Sequence, residues 1–163
     1  MEILIPGLIL VALMVYASTR IKKTAALAYE PETVETDDFV IHKPAGFLTV
    51  IGGDPQYLFE SYSKEFGGEA APDFRKATAY ITRSDDGPAP GDVVITDRTE
   101  KISGRTYRVI EAERINKGVE FSVFTKSAMK DSGPIKLEVV ALKETTNEML
   151  QDIESMLLSF EIR

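Results

Sequence analysis

The 163-residue chain contains no cysteine and only one histidine, His42. The lack of cysteine excludes disulfide bonds, thiolate zinc sites and cysteine nucleophiles. A single histidine excludes a metal site built from several imidazoles of one chain. No serine-hydrolase elbow, phosphate-binding loop or dinucleotide fingerprint is present either. The sequence therefore predicts a non-enzymatic protein without a cofactor or metal.

Charge is also missing from the start of the chain, because residues 3–19 include no Asp, Glu, Lys or Arg. A membrane-spanning helix needs about 17–25 apolar residues. This run lies at the short end, but the long cationic side chains that follow it can reach the interface. We expect residues 1–23 to be a single transmembrane helix with a basic flank. The predicted anchor residues are Ile3, Leu4, Leu8, Leu10, Leu13 and Val15, and the predicted interface residues are Arg20, Lys22 and Lys23.

Two alternatives to a retained anchor are a cleaved signal peptide and a buried helix of a soluble core. A signal peptide carries its positive charge before the apolar run, whereas here only Glu2 and the amino terminus precede it. The cations that follow the run favour the cytoplasmic side. We expect an inner-membrane protein with its amino terminus outside and its domain in the cytoplasm. A domain on the periplasmic or lumenal side is the alternative.

Acidic residues exceed basic ones in the whole chain, 26 against 19. This excess disfavours binding to nucleic acid, whose phosphates would repel the domain. Residues 24–38 combine Pro31 with several acids, a composition typical of an extended spacer. We expect a linker there and one soluble domain over residues 39–163.

The domain begins with two β-rich runs, 39–42 and 47–51, around a Pro-Ala-Gly turn. Asp54 and Pro55 then resemble a helix start. Apolar residues recur on one face of the predicted helix, and Gly67-Gly68 would end it. These apolar residues are Leu58, Phe59, Tyr62 and Phe66.

The second half of the domain reads as a β-meander that ends in a helix. Predicted strands cover 74–83, 93–102, 105–115, 119–128 and 135–142, with a loop at 84–92. Thr145 and Glu148 form a capping-box pattern before an apolar stripe. The stripe comprises Met149, Ile153, Met156, Leu157 and Phe160. Apolar residues on both faces of the last strand lead us to expect helices on both sides of the sheet.

This order of elements resembles the superfamily of the photosystem II extrinsic protein PsbP and its relatives. The resemblance rests on Pro44-Ala45-Gly46-Phe47 after the first strand and on Leu157-Leu158-Ser159-Phe160 in the final helix. It implies an α+β fold, an α/β/α sandwich around an antiparallel sheet. It also implies a protein that docks on larger assemblies at membranes.

A few residues suggest chemistry, each with a simpler interpretation. Asp85, Asp86 and Asp92 have the oxygen ligands that Ca²⁺ prefers, but their spacing is not that of an EF-hand, and a solvated loop is the simpler interpretation. His42 has no identifiable partner, which favours a structural role over a general base. Residues 52–54 precede a predicted helix start, but they lack the lysine and glycine spacing of nucleotide sites.

Five cations cluster in one predicted hairpin: Arg98, Lys101, Arg105, Arg108 and Arg114. They are candidates for a face that binds an acidic protein or lipid headgroups. The simpler interpretation, which we favour, is cross-strand pairing with the acids of the same hairpin, Asp97, Glu100, Glu111 and Glu113.

Two functions are consistent with these patterns. The first is an anchored accessory or assembly subunit that docks on a membrane protein complex and contacts the bilayer. The second is a membrane-tethered sensor that binds a small ligand between the sheet and a helix.

Overall fold

The structure, a computed structural model, describes residues 4–84 and 86–163, and of residues 4–8 it describes the backbone alone. It contains helix α1 at Leu4–Leu27 and helix α2 at Asn147–Ser159. The strands in chain order are β1 Glu32–Glu35, β2 Phe39–Lys43, β3 Phe47–Thr49, β4 Tyr57–Ser63, β5 Ala77–Thr82, β6 Val93–Ile102, β7 Arg105–Asn116, β8 Val119–Lys130, β9 Gly133–Leu142 and β10 Glu161–Ile162.

The strands form two antiparallel sheets. The large sheet has seven strands in the order β3-β4-β5-β9-β8-β7-β6, and the small sheet has three in the order β1-β2-β10. The fold is therefore α+β, as the sequence predicts. The four predicted strands from residue 93 onward are confirmed, with boundaries within a few residues.

The main core lies on one face of the large sheet. Ile135, Leu137, Val139 and Ala141 of the central strand β9 alternate along one face and are fully buried. Helix α2 contributes Ile153 and Met156 to the same apolar cluster, and β2 contributes Phe39 and Ile41. The predicted apolar stripe of the last helix is thus confirmed.

A buried lysine holds the carboxyl end of α2 on the sheet. Lys126 of β8 donates from Nζ to the carbonyl oxygens of Leu157 and Phe160, at 2.8 and 2.9 Å. These carbonyls lie at the helix end, where no intrahelical N–H is available and a cation is favourable. Nearby, Tyr107 accepts a hydrogen bond at its hydroxyl from the backbone N–H of Ile162. The two contacts fasten the last residues of the chain to the sheet.

Helix α1 projects from this domain, and every residue from 9 to 27 is exposed. Residues 24–27, which the sequence assigns to the linker, are the last residues of this helix. No helix in the described part of the chain combines the length and apolarity needed to cross a membrane. The predicted anchor residues Ile3, Leu4 and Leu8 lie outside the described side chains, whereas Leu10, Leu13 and Val15 are exposed on α1.

The helix predicted after Asp54 is wrong, because this segment forms strand β4. Asp54 does cap a turn, accepting a hydrogen bond from the backbone N–H of Gln56, but no helix follows. The inward positions of β4 are Phe59, Ser61 and Ser63. Two of these three buried residues are serines, so apolar residues do not alternate along the strand as they usually do. The apolar residues that remain are spaced as on one face of a helix, which explains the wrong prediction.

Three smaller expectations also need correction. The acidic segment taken as a linker is extended but contains β1, which pairs with β2. The residue that caps α2 is Thr146 and not Thr145, since Met149 donates its backbone N–H to the Thr146 hydroxyl. The α/β/α sandwich is not formed, because among the described side chains only α2 packs as a helix on the large sheet.

We predict that Lys126→Met destabilises the domain by about 1–3 kcal/mol, because two buried carbonyls lose their donor while the apolar stem is retained. Lys101→Met, at an exposed position of β6, is the control and should change stability by no more than about 0.5 kcal/mol. Urea denaturation at low protein concentration measures both. Equal stabilities of the two variants would contradict the capping role.

Candidate docking groove

A groove of about 330 Å³ lies between α2 and the β6–β8 end of the large sheet. We call it the α2 groove. Val109, Phe124, Ile153 and Leu157 supply apolar surface. Its remaining lining residues are Arg98, Glu100, Glu111, Lys126, Leu150, Glu154 and Leu158.

The periodicities of strand and helix assemble this groove. Strand alternation and cross-strand register place Val109 and Phe124 on the face that carries α2,. Leu150, Ile153 and Leu157 follow one another at helical spacing on the same side of α2. The groove separates α2 from β6–β8, so the apolar surface between them stays open.

Leu158 is the most exposed apolar residue of the groove, with 67% of its surface accessible, and Leu150 is 39% exposed. Large apolar side chains exposed together mark interaction surfaces more often than isolated ones do. The groove can therefore accept an apolar side chain or a small apolar ligand.

Charged residues border the apolar surface. Arg98 donates from Nε to Glu100 at 2.8 Å and from Nη1 to Glu111 at 3.1 Å. These hydrogen bonds raise the pKa of Arg98. Lys126 lies deeper, and its burial lowers the pKa of its ammonium group. Arg98, Glu100 and Glu111 are thus paired with one another at the rim, whereas Lys126 binds the backbone at the end of α2. The paired charges form a polar border beside the apolar surface.

The structure divides the five predicted cations between the two faces of the large sheet. Register places Arg98 and Arg105 on the groove face, and Lys101, Arg108 and Arg114 on the opposite face. Arg108 donates two hydrogen bonds to Asp97, at 2.7 and 3.0 Å. Arg105 donates to the carbonyl of Met129. Cross-strand pairing is confirmed for Arg98 and Arg108, and the five do not form one basic face.

Arg114 belongs to a network on the opposite face of the sheet. Its guanidinium binds both oxygens of Asp92, at 2.8 and 2.9 Å, and reaches Glu138 at 3.4 Å. The Asp92 side chain is only 1% exposed. The Arg114 hydrogen bond lowers the pKa of Asp92, against the effect of burial. This network fastens the end of the 84–92 loop to the sheet.

Among the described residues, the other candidates do not come together in a reactive site. His42 lies 3.3 Å from the Thr33 hydroxyl, and its backbone N–H donates to Ser159. Asp86 accepts a hydrogen bond from Ser84, Asp92 is held by Arg114, and Asp85 lies outside the described residues. Within the described ranges, no group of acidic residues and histidine could hold a metal ion.

A second, larger cleft of about 600 Å³ lies at the opposite end of the meander. Its borders are residues 67–71, the β7–β8 turn and residues 142–145. Lys143 in this cleft is bound to Glu113 and Glu120, at 3.0 and 3.1 Å. Lys76 is likewise paired with Glu65. The lining of this cleft includes none of the exposed large apolar side chains of the described residues, whereas the α2 groove has Leu150 and Leu158.

Sequence reasoning raised a cleft between the sheet and a helix as one hypothesis, but it did not identify the α2 groove or the residues that line it. One residue could have indicated it: Leu158 is a large apolar residue of α2 that does not belong to the apolar stripe, so it was expected to be exposed. The strand residues of the groove gave no signal, since their position relative to α2 depends on the tertiary arrangement.

Comparison with solved structures identifies the fold as PsbP-like. Cyanobacterial PsbP (CyanoP) from Synechocystis is 11% identical, with a TM-score of 0.53 over 82% of this chain and 92% of that one. LpqN of Mycobacterium tuberculosis, described as involved in cell envelope biogenesis, is 12% identical, with a TM-score of 0.55 over 82% and 90%. At these identities the likeness shows the fold alone. No family model and no curated protein matches the sequence.

We predict that Asp92→Asn destabilises the domain by about 2 kcal/mol at pH 7, because Arg114 loses a charged hydrogen-bond acceptor. A carboxylate whose pKa is lowered by folding adds stability above its unfolded pKa, near 4, and loses it as pH falls through the folded value. The difference between variant and wild type should therefore shrink below pH 4. Urea titrations at several pH values measure this, and a gap that persists at low pH would contradict the ion pair as its source.

Proposed function

We propose that this protein is a non-enzymatic, single-pass anchored accessory subunit that docks its PsbP-like domain on a larger membrane protein complex. The observation that carries the proposal is the exposed apolar surface of α1, joined directly to a folded domain. The uncharged run of residues 3–19, part of which lies outside the described side chains, supports the same interpretation.

The apolar side chains of α1 point in all directions around the helix. Seven large ones between residues 9 and 16 are each more than half exposed: Ile9, Leu10, Val11, Leu13, Met14, Val15 and Tyr16. A helical segment that is apolar on all sides, as residues 9–16 are, favours an apolar environment. We assign that environment to the bilayer, with Arg20, Lys22 and Lys23 at its cytoplasmic surface.

A buried lysine joins α1 to the domain. Lys43 is 1% exposed and donates from Nζ to the carbonyl of Ala28 at 3.1 Å and to that of Phe47 at 2.8 Å. The backbone N–H of Gly46 donates to the carbonyl of Tyr29 at 2.8 Å. These bonds hold the chain that leaves α1 against the small sheet. The domain would therefore stay close to the membrane surface instead of moving on a free linker.

The α2 groove is the surface that we assign to docking. Its apolar floor and exposed Leu158 fit an apolar side chain of a protein partner, and its charged rim fits a polar border around that contact. A ligand-binding sensor is the second candidate, favoured by the groove volume, which reaches the lower end of ligand-pocket sizes.

The membrane assignment predicts that the full chain stays in the membrane pellet after extraction at alkaline pH. The double variant Leu10→Arg with Leu13→Arg should release it, because two cations at the helix centre make insertion unfavourable by about 5–7 kcal/mol. Fractionation followed by immunoblotting measures both. The matched control is Leu10→Ile with Leu13→Ile. Wild-type protein in the soluble fraction would refute the anchor.

The docking assignment predicts that Leu158→Glu lowers co-migration with the membrane complex after mild detergent solubilisation, since a carboxylate replaces an apolar contact. Ile51→Glu is the matched control, because Ile51 is 95% exposed and lies outside the groove. The two variants should fold equally well by circular dichroism.

A wild-type chain that migrates only as a lone species would contradict docking. If such a chain also melts at a higher temperature with a small metabolite, the sensor function replaces the docking function.

A further inference from the structure

Strand β6 forms an exposed edge of the large sheet and is hydrogen-bonded only to β7 within the described chain. All but three of its residues are exposed, from Val93 at its start to Lys101 next to its last residue. An edge strand presents free N–H and C=O groups that can pair with another strand.

The hairpin turn determines which backbone groups of β6 face outward. Ser103 and Gly104 both have positive φ, 50° and 81°, which is the type I′ turn of a two-residue hairpin. Ile102 and Arg105 close this turn as a directly opposed pair that exchanges both backbone hydrogen bonds. Alternate residues then bond to β7, and the backbone groups of Asp97, Thr99 and Lys101 point away from the sheet.

The side chains of this edge are complementary to themselves. In an antiparallel pairing of two β6 strands centred on Thr99, Asp97 lies opposite Lys101 of the second copy. Arg98 lies opposite Glu100 in the same register. The two-fold symmetry repeats each pair, so four pairs of opposite charge flank a central Thr99–Thr99 pair. Directly opposed pairs of opposite charge stabilise antiparallel strands.

The neighbouring registers lose this complementarity. Only alternate residues of β6 have outward backbone groups, and these residues must pair with each other across the interface. The two-fold axis can therefore pass through a residue pair but not between two pairs, so the next possible centres are Arg98 and Glu100. Centring the pair on Arg98 places two guanidinium groups opposite each other, and centring it on Glu100 places two carboxylates opposite each other. The charge sequence therefore selects the register centred on Thr99.

We infer that β6 is a homodimer interface through which two copies of this chain join their large sheets edge to edge. Each copy uses the same surface, as two-fold symmetry requires. Charges on an edge strand can also serve only to prevent pairing. Lys101 favours the dimer, because it has no ion pair within the described residues, whereas Asp97 and Arg98 are already in ion pairs. The second copy supplies the carboxylate that Lys101 lacks.

The oligomeric state of the full chain in detergent tests this interface. Light scattering should give the mass of a dimer for wild type and for Thr99→Val, which keeps the central N–H. Thr99→Pro removes that donor without touching a bond to β7, and Lys101→Glu places a second acid opposite Asp97. Both should weaken dimerisation roughly tenfold or more, while circular dichroism reports an intact fold.

Disulfide trapping tests the register, because the chain has no cysteine of its own. Thr99→Cys should form a covalent dimer under mild oxidation, since the two thiols meet at the symmetry axis. Lys101→Cys is the control. In this register position 101 of one copy is offset along the strands by about 14 Å from position 101 of the other, which is beyond the reach of a disulfide.

Three results would each overturn the proposal. The first is a monomeric wild type, and the second is a dimer that persists in both Thr99→Pro and Lys101→Glu. The third is equal disulfide trapping in the Thr99→Cys and Lys101→Cys variants. If the dimer persists in both Thr99→Pro and Lys101→Glu, the two copies associate through α1 or another surface.

Discussion

Burial of one face of β9 is the constraint on which the rest of the structure depends. The side chains of Ile135, Leu137 and Val139 are fully buried, and both α2 and the small sheet pack over them. Strand β10 follows α2 directly and pairs with β2, so the end of the chain closes the sheet formed by its first strands. Tyr107 and Lys126 complete this closure by bonding to the backbone around Phe160.

The proposed interaction surfaces arise because α2 and the small sheet do not cover the whole face of the large sheet. Helix α2 packs into the core on one face of this sheet, and a groove separates it from β6–β8. The uncovered part of the face becomes the α2 groove, and the last strand becomes the open edge. Arg98 and Glu100 belong to both, since they border the groove and would pair across the edge. Docking and dimerisation are therefore expected to influence each other at this side of the domain.

Much of the architecture could be predicted because its signals are local. The last four strands of the large sheet are separated by turns with Gly, Asn or Asp, and α2 shows a clear apolar stripe. Strand β4 could not be predicted in this way, because Ser61 and Ser63 fill its buried positions and remove the apolar alternation. The five cations are close in sequence but do not share one face, since adjacent positions of a strand project to opposite faces.

Three properties are evident without tertiary structure: the uncharged run of residues 3–19, the order of most elements, and the lack of cysteine and of a second histidine. These properties follow from composition and from spacing between near neighbours. Tertiary structure alone decided that β1 joins the folded domain, that Lys43 fastens α1 to it, and that α2 leaves a groove beside β6. Each of these depends on contacts between distant residues, and local periodicity carries no information about which distant strands and helices will meet.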